Sequence, residues 1–183
     1  MVQSSFSMNI HPLFVHFPIA FLVAYAIMEL IHTDRLNHSD TYVAIKGFLV
    51  IIGALSAYAA LSTGEIAEGI LLANRPDLAK LVETHSTFAG ASTTIFSILA
   101  LSYLIKFFLD SKHTSAPILT SEPFAKALGA LRWYSEAIRE HVLGQMLALA
   151  GIICITITWG LGAAIVYSPN VDPLVNFIHS SFS

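Results

Sequence analysis

Four apolar runs constrain this chain more than any other feature of its sequence. They cover residues 14–31, 43–61, 88–109 and 147–167, and each is close to the roughly 20 residues that cross a bilayer core as a helix. Only 11% of the 183 residues are charged, and the mean hydropathy is +0.70. Because the runs leave no room for a sizeable soluble domain, the sequence predicts an integral membrane protein.

The predicted fold class is all-α, with one membrane domain over residues 1–183 built as a four-helix bundle. An additional amphipathic helix is expected at about residues 122–140, where apolar side chains recur at helical spacing, and it would lie on the cytoplasmic membrane surface. An outer loop is expected at residues 65–83. The four spans are expected at about residues 13–32, 42–63, 85–109 and 143–167.

The distribution of basic residues predicts the orientation of the spans. Only Arg75 and Lys80 fall on the side of the membrane that holds the N-terminus, and seven basic residues fall on the other side. By the positive-inside rule the second side is cytoplasmic. The sequence therefore predicts a multi-pass protein of the bacterial inner (cytoplasmic) membrane with both termini in the periplasm. The seven residues are Arg35, Lys46, Lys106, Lys112, Lys126, Arg132 and Arg139.

Histidines at the start of two spans form the candidate site. The stretch IHPLFVHFPIA at residues 10–20 places His11 and His16 at the mouth of the first span, and His85 opens the third. Alternating spans begin on the same side, so His16 and His85 are expected at similar depth. A histidine at membrane depth usually turns toward a partner, a metal or a proton path, because lipid satisfies neither ring nitrogen.

Two facing imidazoles in a helix bundle can hold the iron of a haem from both sides, which leaves no axial position open and suits electron transfer. We expect haem b between the first and third spans, with His16 and His85 as axial iron ligands and His11 as a substitute for His16. Ala20 and Ala89, one turn beyond the ligands, would leave room for the ring. Propionate partners are expected among Arg75, Lys80, Thr84, Ser86 and Tyr167.

Two other functions stay open. The three histidines could hold a metal ion such as zinc, with Glu65 or Glu83 as a base. The chain could also be a cofactor-free structural or assembly subunit that packs on other membrane proteins through small residues such as Gly160 and Ala164. The sequence has no CxxC, GxGxxG, P-loop, GxSxG or HExxH motif, and no catalytic residue is predicted. We therefore favour an electron-transfer subunit over a stand-alone enzyme.

Several stretches together resemble the DUF2231 family of four-span bacterial membrane proteins. These are HPLFVHFPIA, an alanine-rich second span closing at Thr63-Gly64, a histidine (His85) opening the third span, and a glycine-rich fourth span closing with Ile165-Val166-Tyr167. The resemblance covers about residues 10–168. Domains of that family occur joined to cytochrome c-like or Rieske-type modules, which implies work near electron transfer.

As implied by the resemblance, the motif positions carried over are His11, His16 and His85. The expected partners, besides membrane lipids, are other subunits of a respiratory or photosynthetic membrane complex, such as a c-type cytochrome or a Rieske protein. A net charge of −3 and the lack of a basic patch outside the membrane-flanking loops argue against a nucleic-acid partner.

Overall fold

The computed structural model describes residues 10–31, 33–110, 122–140 and 142–182, and in these residues every regular element is a helix. Four helical segments are long and apolar enough to cross a membrane, and they cover His11–Leu30, Asp40–Asn74, Pro76–Asp110 and Val142–Tyr167. The prediction of an all-α chain with four candidate spans is thus confirmed. The helices are α1 (His11–Leu30), α2 (Asp34–Asn37), α3 (Asp40–Asn74), α4 (Ala79–Asp110), α5 (Glu122–Arg139), α6 (Val142–Tyr167) and α7 (Pro173–Phe182), with 3-10 turns at Pro76–Leu78 and Pro169–Val171.

Helix α1 contains two prolines, one in its first turn and one further inside. Pro12 lies in the first turn, where a missing N–H costs nothing. The helix then continues through Pro18, a buried residue whose ring leaves the carbonyl of Phe14 without its usual helical partner. His11 and His16 both lie within the first two turns of this helix.

Helix α3 is much longer than its apolar run. The prediction of a loop over residues 65–83 was wrong, because α3 continues through the first part of that range. The helix continues through Gly64 to Asn74, because the intervening Glu, Ile, Ala and Leu residues are good helix formers even where they are too polar for a bilayer. The chain then reverses in a short turn. Arg75 and Asp77 form an ion pair across that turn, with Nη2 and Oδ2 2.8 Å apart.

The four long helices pack around a shared apolar cluster. Helix α1 lies against α3 and α6, and α4 lies against α3 and α6 as well. Leu22, Val50, Phe96, Leu99 and Ala148 are buried at the centre. Glycines let the helices approach: Gly53 lies directly against the Leu22 side chain, and Gly151 lies against the Phe96 ring.

Helix α7 folds back over the C-terminal end of α6, which the sequence had not indicated. This end of the helices, which also holds His11 and the start of α4, is called the outer end, and the opposite one is called the inner end. Val175 and Ile178 of α7 are buried against Leu161 and Ala164 of α6. A Cβ atom on Gly160 would come within 2.5 Å of the Ile178 side chain, so α7 can pack this closely only because residue 160 is a glycine. The small surface of α6 is thus covered by the same chain.

Helix α5 is attached along one edge to α4. The Ser135 hydroxyl donates to the carbonyl of Ser102, and the Tyr134 hydroxyl donates to the carbonyl of Ile98, both at 2.8 Å. Partial burial raises the pKa of the Tyr134 phenol above its ordinary value, so that group remains a neutral donor. Trp133 is exposed, and the placement of this helix on the cytoplasmic membrane surface stays a prediction.

Candidate functional site

His11 is directed toward α3. Its Nδ1 lies 3.1 Å from the hydroxyl oxygen of Thr63, and that hydroxyl is also within bonding distance of the carbonyl of Ala60. Gly64 makes the approach possible, because a Cβ atom there would lie 3.2 Å from the His11 ring. The first turn of α1 is thereby fixed to the outer half of α3.

His85 is directed toward α6. Its Nδ1 lies 2.9 Å from the carbonyl oxygen of Thr158. A carbonyl can only accept, so Nδ1 carries the proton and donates it, and the neutral ring keeps its lone pair on Nε2. Gly162 lies beside the ring, since a Cβ atom there would be 3.1 Å from it.

His16 bonds within its own helix. The ring is exposed, and Nδ1 donates to the carbonyl of Pro12 at 2.6 Å, one turn earlier. The same tautomer results, with the lone pair on Nε2. This contact lets an imidazole on an exposed helix face satisfy one nitrogen without help from another helix.

Of the three predicted histidines, the structure fixes His11 against α3 and His85 against α6, and it leaves the His16 ring exposed. In the described ranges, no group of three or more His, Cys, Asp and Glu side chains is placed to hold a metal ion. The assignment of axial ligands stays a prediction.

The side chains expected to meet haem propionates lie at the outer ends of α3, α4 and α6. Thr84 is half-buried, and the other four are exposed. Arg75 is already paired with Asp77. The Ser86 hydroxyl donates to Glu68 on α3 at 3.4 Å.

A second polar site lies at the opposite end of α1, and sequence reasoning missed it. The Nζ atom of Lys46 is 2.7 Å from Oε2 of Glu29, with side-chain exposures of 6% and 3%. The hydroxyl of Tyr103 donates to the same oxygen at 3.2 Å. Charges this deeply buried are stable only when paired, because leaving water costs each of them several kcal/mol.

Aromatic rings and a glycine surround this pair. Lys46 lies 5.6 Å from the centre of the Tyr42 ring, and the guanidinium of Arg139 lies 5.9 Å from the Tyr103 ring. Gly144 of α6 packs against the Ile138 carbonyl, and a Cβ atom on it would come within 3.3 Å of Glu29 Oε1. The pair therefore joins α1, α3 and α4, with the end of α5 and the start of α6 beside it.

The fold and its polar sites are those of a multi-pass membrane protein, given four candidate spans with charged and imidazole side chains between them. No protein-family model, curated protein or solved structure matches the chain. The resemblance to the DUF2231 family accordingly stays a prediction.

Proposed function

We propose that the chain is a membrane b-type cytochrome that holds haem b between α1 and α4 of a four-helix bundle and serves electron transfer. The observation that supports this most is the hydrogen bonding of the histidines. Nδ1 of His85 donates to a backbone carbonyl of α6, which leaves Nε2 free of a proton. Metal-ligating histidines usually donate their other ring N–H in this way, which orients the ring and makes it a stronger ligand.

The ligand from α1 is His11 or His16, and the contacts favour His11. His11 is half-buried and bonds to Thr63 of α3. His16 has the right tautomer but is exposed. A haem enclosed by the helices would therefore meet His11 first, with His16 as the second candidate.

Small side chains lie between the histidines and the middle of the long helices. Ala60 and Ser92 are buried and Ala89 is half-buried. Because they are small, these side chains would obstruct a flat ring less than Leu22 or Phe96 would further in. They are already covered by neighbouring helices, so a ring at this depth requires those helices to move apart. Haem ligated by two imidazoles supplies reversible one-electron chemistry.

The proposed topology has both termini and the histidines on the periplasmic side of a bacterial inner membrane. The proposal compares the number of basic residues on the two sides of the membrane. Lys46 is left out of this comparison because it is paired with Glu29, and Lys112 because it lies outside the described residues. Arg35, Lys106 and those of α5 still exceed the two on the opposite side. Electron partners would then be other subunits of a redox complex, such as a periplasmic c-type cytochrome or a Rieske protein.

The reduced-minus-oxidised visible spectrum of the purified chain, produced with haem available, tests the proposal together with a pyridine haemochrome assay. We expect a sharp low-spin α-band with one haem b that is lost in His85→Ala. Loss in His11→Ala or in His16→Ala would identify the second ligand. His179→Ala on α7 is the matched control and should keep the haem.

A folded but colourless protein would overturn the proposal. Elemental analysis would then separate a histidine-bound metal ion from a cofactor-free assembly subunit. Bulky substitutions at Gly160 or Ala164 would not identify an assembly subunit, because α7 of the same chain already packs on that surface.

A further inference from the structure

A buried hydroxyl without a partner lies next to the Glu29–Lys46 pair. Tyr25 is fully buried, and its hydroxyl lies beside Glu29 and Tyr103 without meeting either in hydrogen-bonding geometry. In the described part of the chain it is the one buried side-chain polar atom left without a hydrogen bond. Since such a group is unfavourable in an apolar interior, its position beside a carboxylate points to a second arrangement in which it is bonded.

We propose that Glu29 is a proton-binding site with two alternative partners. In one state the carboxylate is ionised and held by Lys46 and Tyr103. In the other, a proton from water has added to one carboxylate oxygen. The carbonyl oxygen of the resulting acid then accepts a hydrogen bond from Tyr25.

Protons and charges balance in this exchange. A hydronium ion gives up one proton and becomes water, one O–H bond forms on Glu29, and Lys46 stays an ammonium. Once released from the carboxylate, that ammonium can move toward Tyr42, whose ring centre is 5.6 Å away and one turn nearer the start of α3. A cation–π contact there would replace part of the lost attraction.

The groups that face Glu29 come from every helix packed against it. Two cations, Lys46 and Arg139, lie near this single buried carboxylate, so the proposed exchange requires Lys46 to move away from Glu29. From α6 the neighbouring residue is Gly144. The titratable and charged groups on the packed helices are Tyr25 of α1, Lys46 and Tyr42 of α3, Tyr103 of α4 and Arg139 of α5.

Infrared difference spectra of the full chain in phosphatidylcholine vesicles, recorded as the pH is lowered, test the proposal. We expect a protonated-carboxyl C=O band to appear in the wild type and to be missing in Glu29→Gln. In Tyr25→Phe the band should move to higher wavenumber, because the acid carbonyl loses a hydrogen bond. A fixed ion pair would predict no such shift.

Lys46→Met should raise the protonated fraction of Glu29 at a given pH at least about tenfold, because the carboxylate loses its nearest cation. Lys106→Met, which removes the more exposed pair with Asp110, is the control and should leave the band unchanged. If Lys46→Met fails to fold, the carboxyl band of the wild type and its shift in Tyr25→Phe still test the proposal. The absence of a Glu29-dependent band at the lowest pH at which the chain keeps its helical circular dichroism, or an unshifted band in Tyr25→Phe, would overturn the proposal.

Discussion

The two ends of α1 place polar groups between apolar helices in different ways. At the outer end, His11 and His85 bond to a hydroxyl and a carbonyl, which are neutral partners. At the inner end, Glu29 and Lys46 are buried charges that partner each other. An imidazole can stay neutral and lose one bond at modest cost, whereas a buried charge depends on its counterion. The inner end should therefore matter more for stability and the outer end more for ligand binding.

The largest expected effect comes from removing one charge at the inner end. Glu29→Leu leaves Lys46 buried without its anion, and we expect the free energy of unfolding to fall by about 3 to 5 kcal/mol. The double variant Glu29→Leu/Lys46→Leu should recover most of that loss. Unfolding in mixed micelles with increasing SDS, followed by circular dichroism, measures both. A double variant as unstable as the single one would contradict this interpretation of the pair.

The glycine beside the pair should come next. Gly144→Ala places a methyl group against the Ile138 carbonyl and near Glu29, and we expect a loss of about 1 to 3 kcal/mol in the same assay. Gly129→Ala on α5 is the matched control, because nothing lies within 4 Å of its Cβ position. Alanine favours helix there, so the control should be neutral or stabilising by up to about 1 kcal/mol. Equal losses in the two variants would show that Gly144 is not tightly packed.

At the outer end a smaller effect is expected in the haem-free protein. His85→Ala removes a contact between α4 and α6 and should lower stability by about 1 kcal/mol. His16→Ala removes a contact within one turn of an exposed helix face and should change stability by less than about 0.5 kcal/mol. Thermal melts of both variants, compared with the wild type, check the order. The reverse order would mean that His16 contacts another helix.

A contact between helices at Thr63 should contribute slightly less than the one at His85. Thr63→Val keeps the shape but removes the hydroxyl next to His11, and a loss of about 0.5 to 1 kcal/mol is expected. Thr94→Val is the control, because that exposed hydroxyl bonds to the Gly90 carbonyl in its own helix. The same melts would show whether Thr63 contributes more than a generic helical threonine. If the two variants matched, the His11 contact would add nothing to stability.

The sequence was sufficient for the helices because hydropathy alone marks segments that must bury or face lipid. It was insufficient where a helix runs beyond its apolar part, as α3 does to Asn74. It also missed α7, since the fit of Ile178 onto Gly160 depends on how the chain turns after Tyr167.

The inner site was missed for a different reason. Lys46 was counted among the basic residues of the cytoplasmic side, although it lies six residues inside α3, and Glu29 was given no role. A charge within an apolar helix and an opposite charge near the matching end of the preceding helix are visible in the sequence. Their depth is not, because it depends on Tyr103, Ile138 and Gly144 closing over them. For the histidines, the sequence could not indicate their hydrogen-bond partners, because these depend on how α3 and α6 pack against α1 and α4.

The length of α3 has a consequence for access from water. Its 35 residues make a rod of about 52 Å, and a tilt of about 20° shortens its reach by only a few Å, while the hydrocarbon core is about 30 Å thick. The far end, together with the start of α4, therefore extends past a hydrocarbon core of that thickness. It carries Glu65, Glu68, Asp77 and Glu83 together with Arg75 and Lys80. These charged side chains can thus stay hydrated although they lie on the same two helices as the apolar spans.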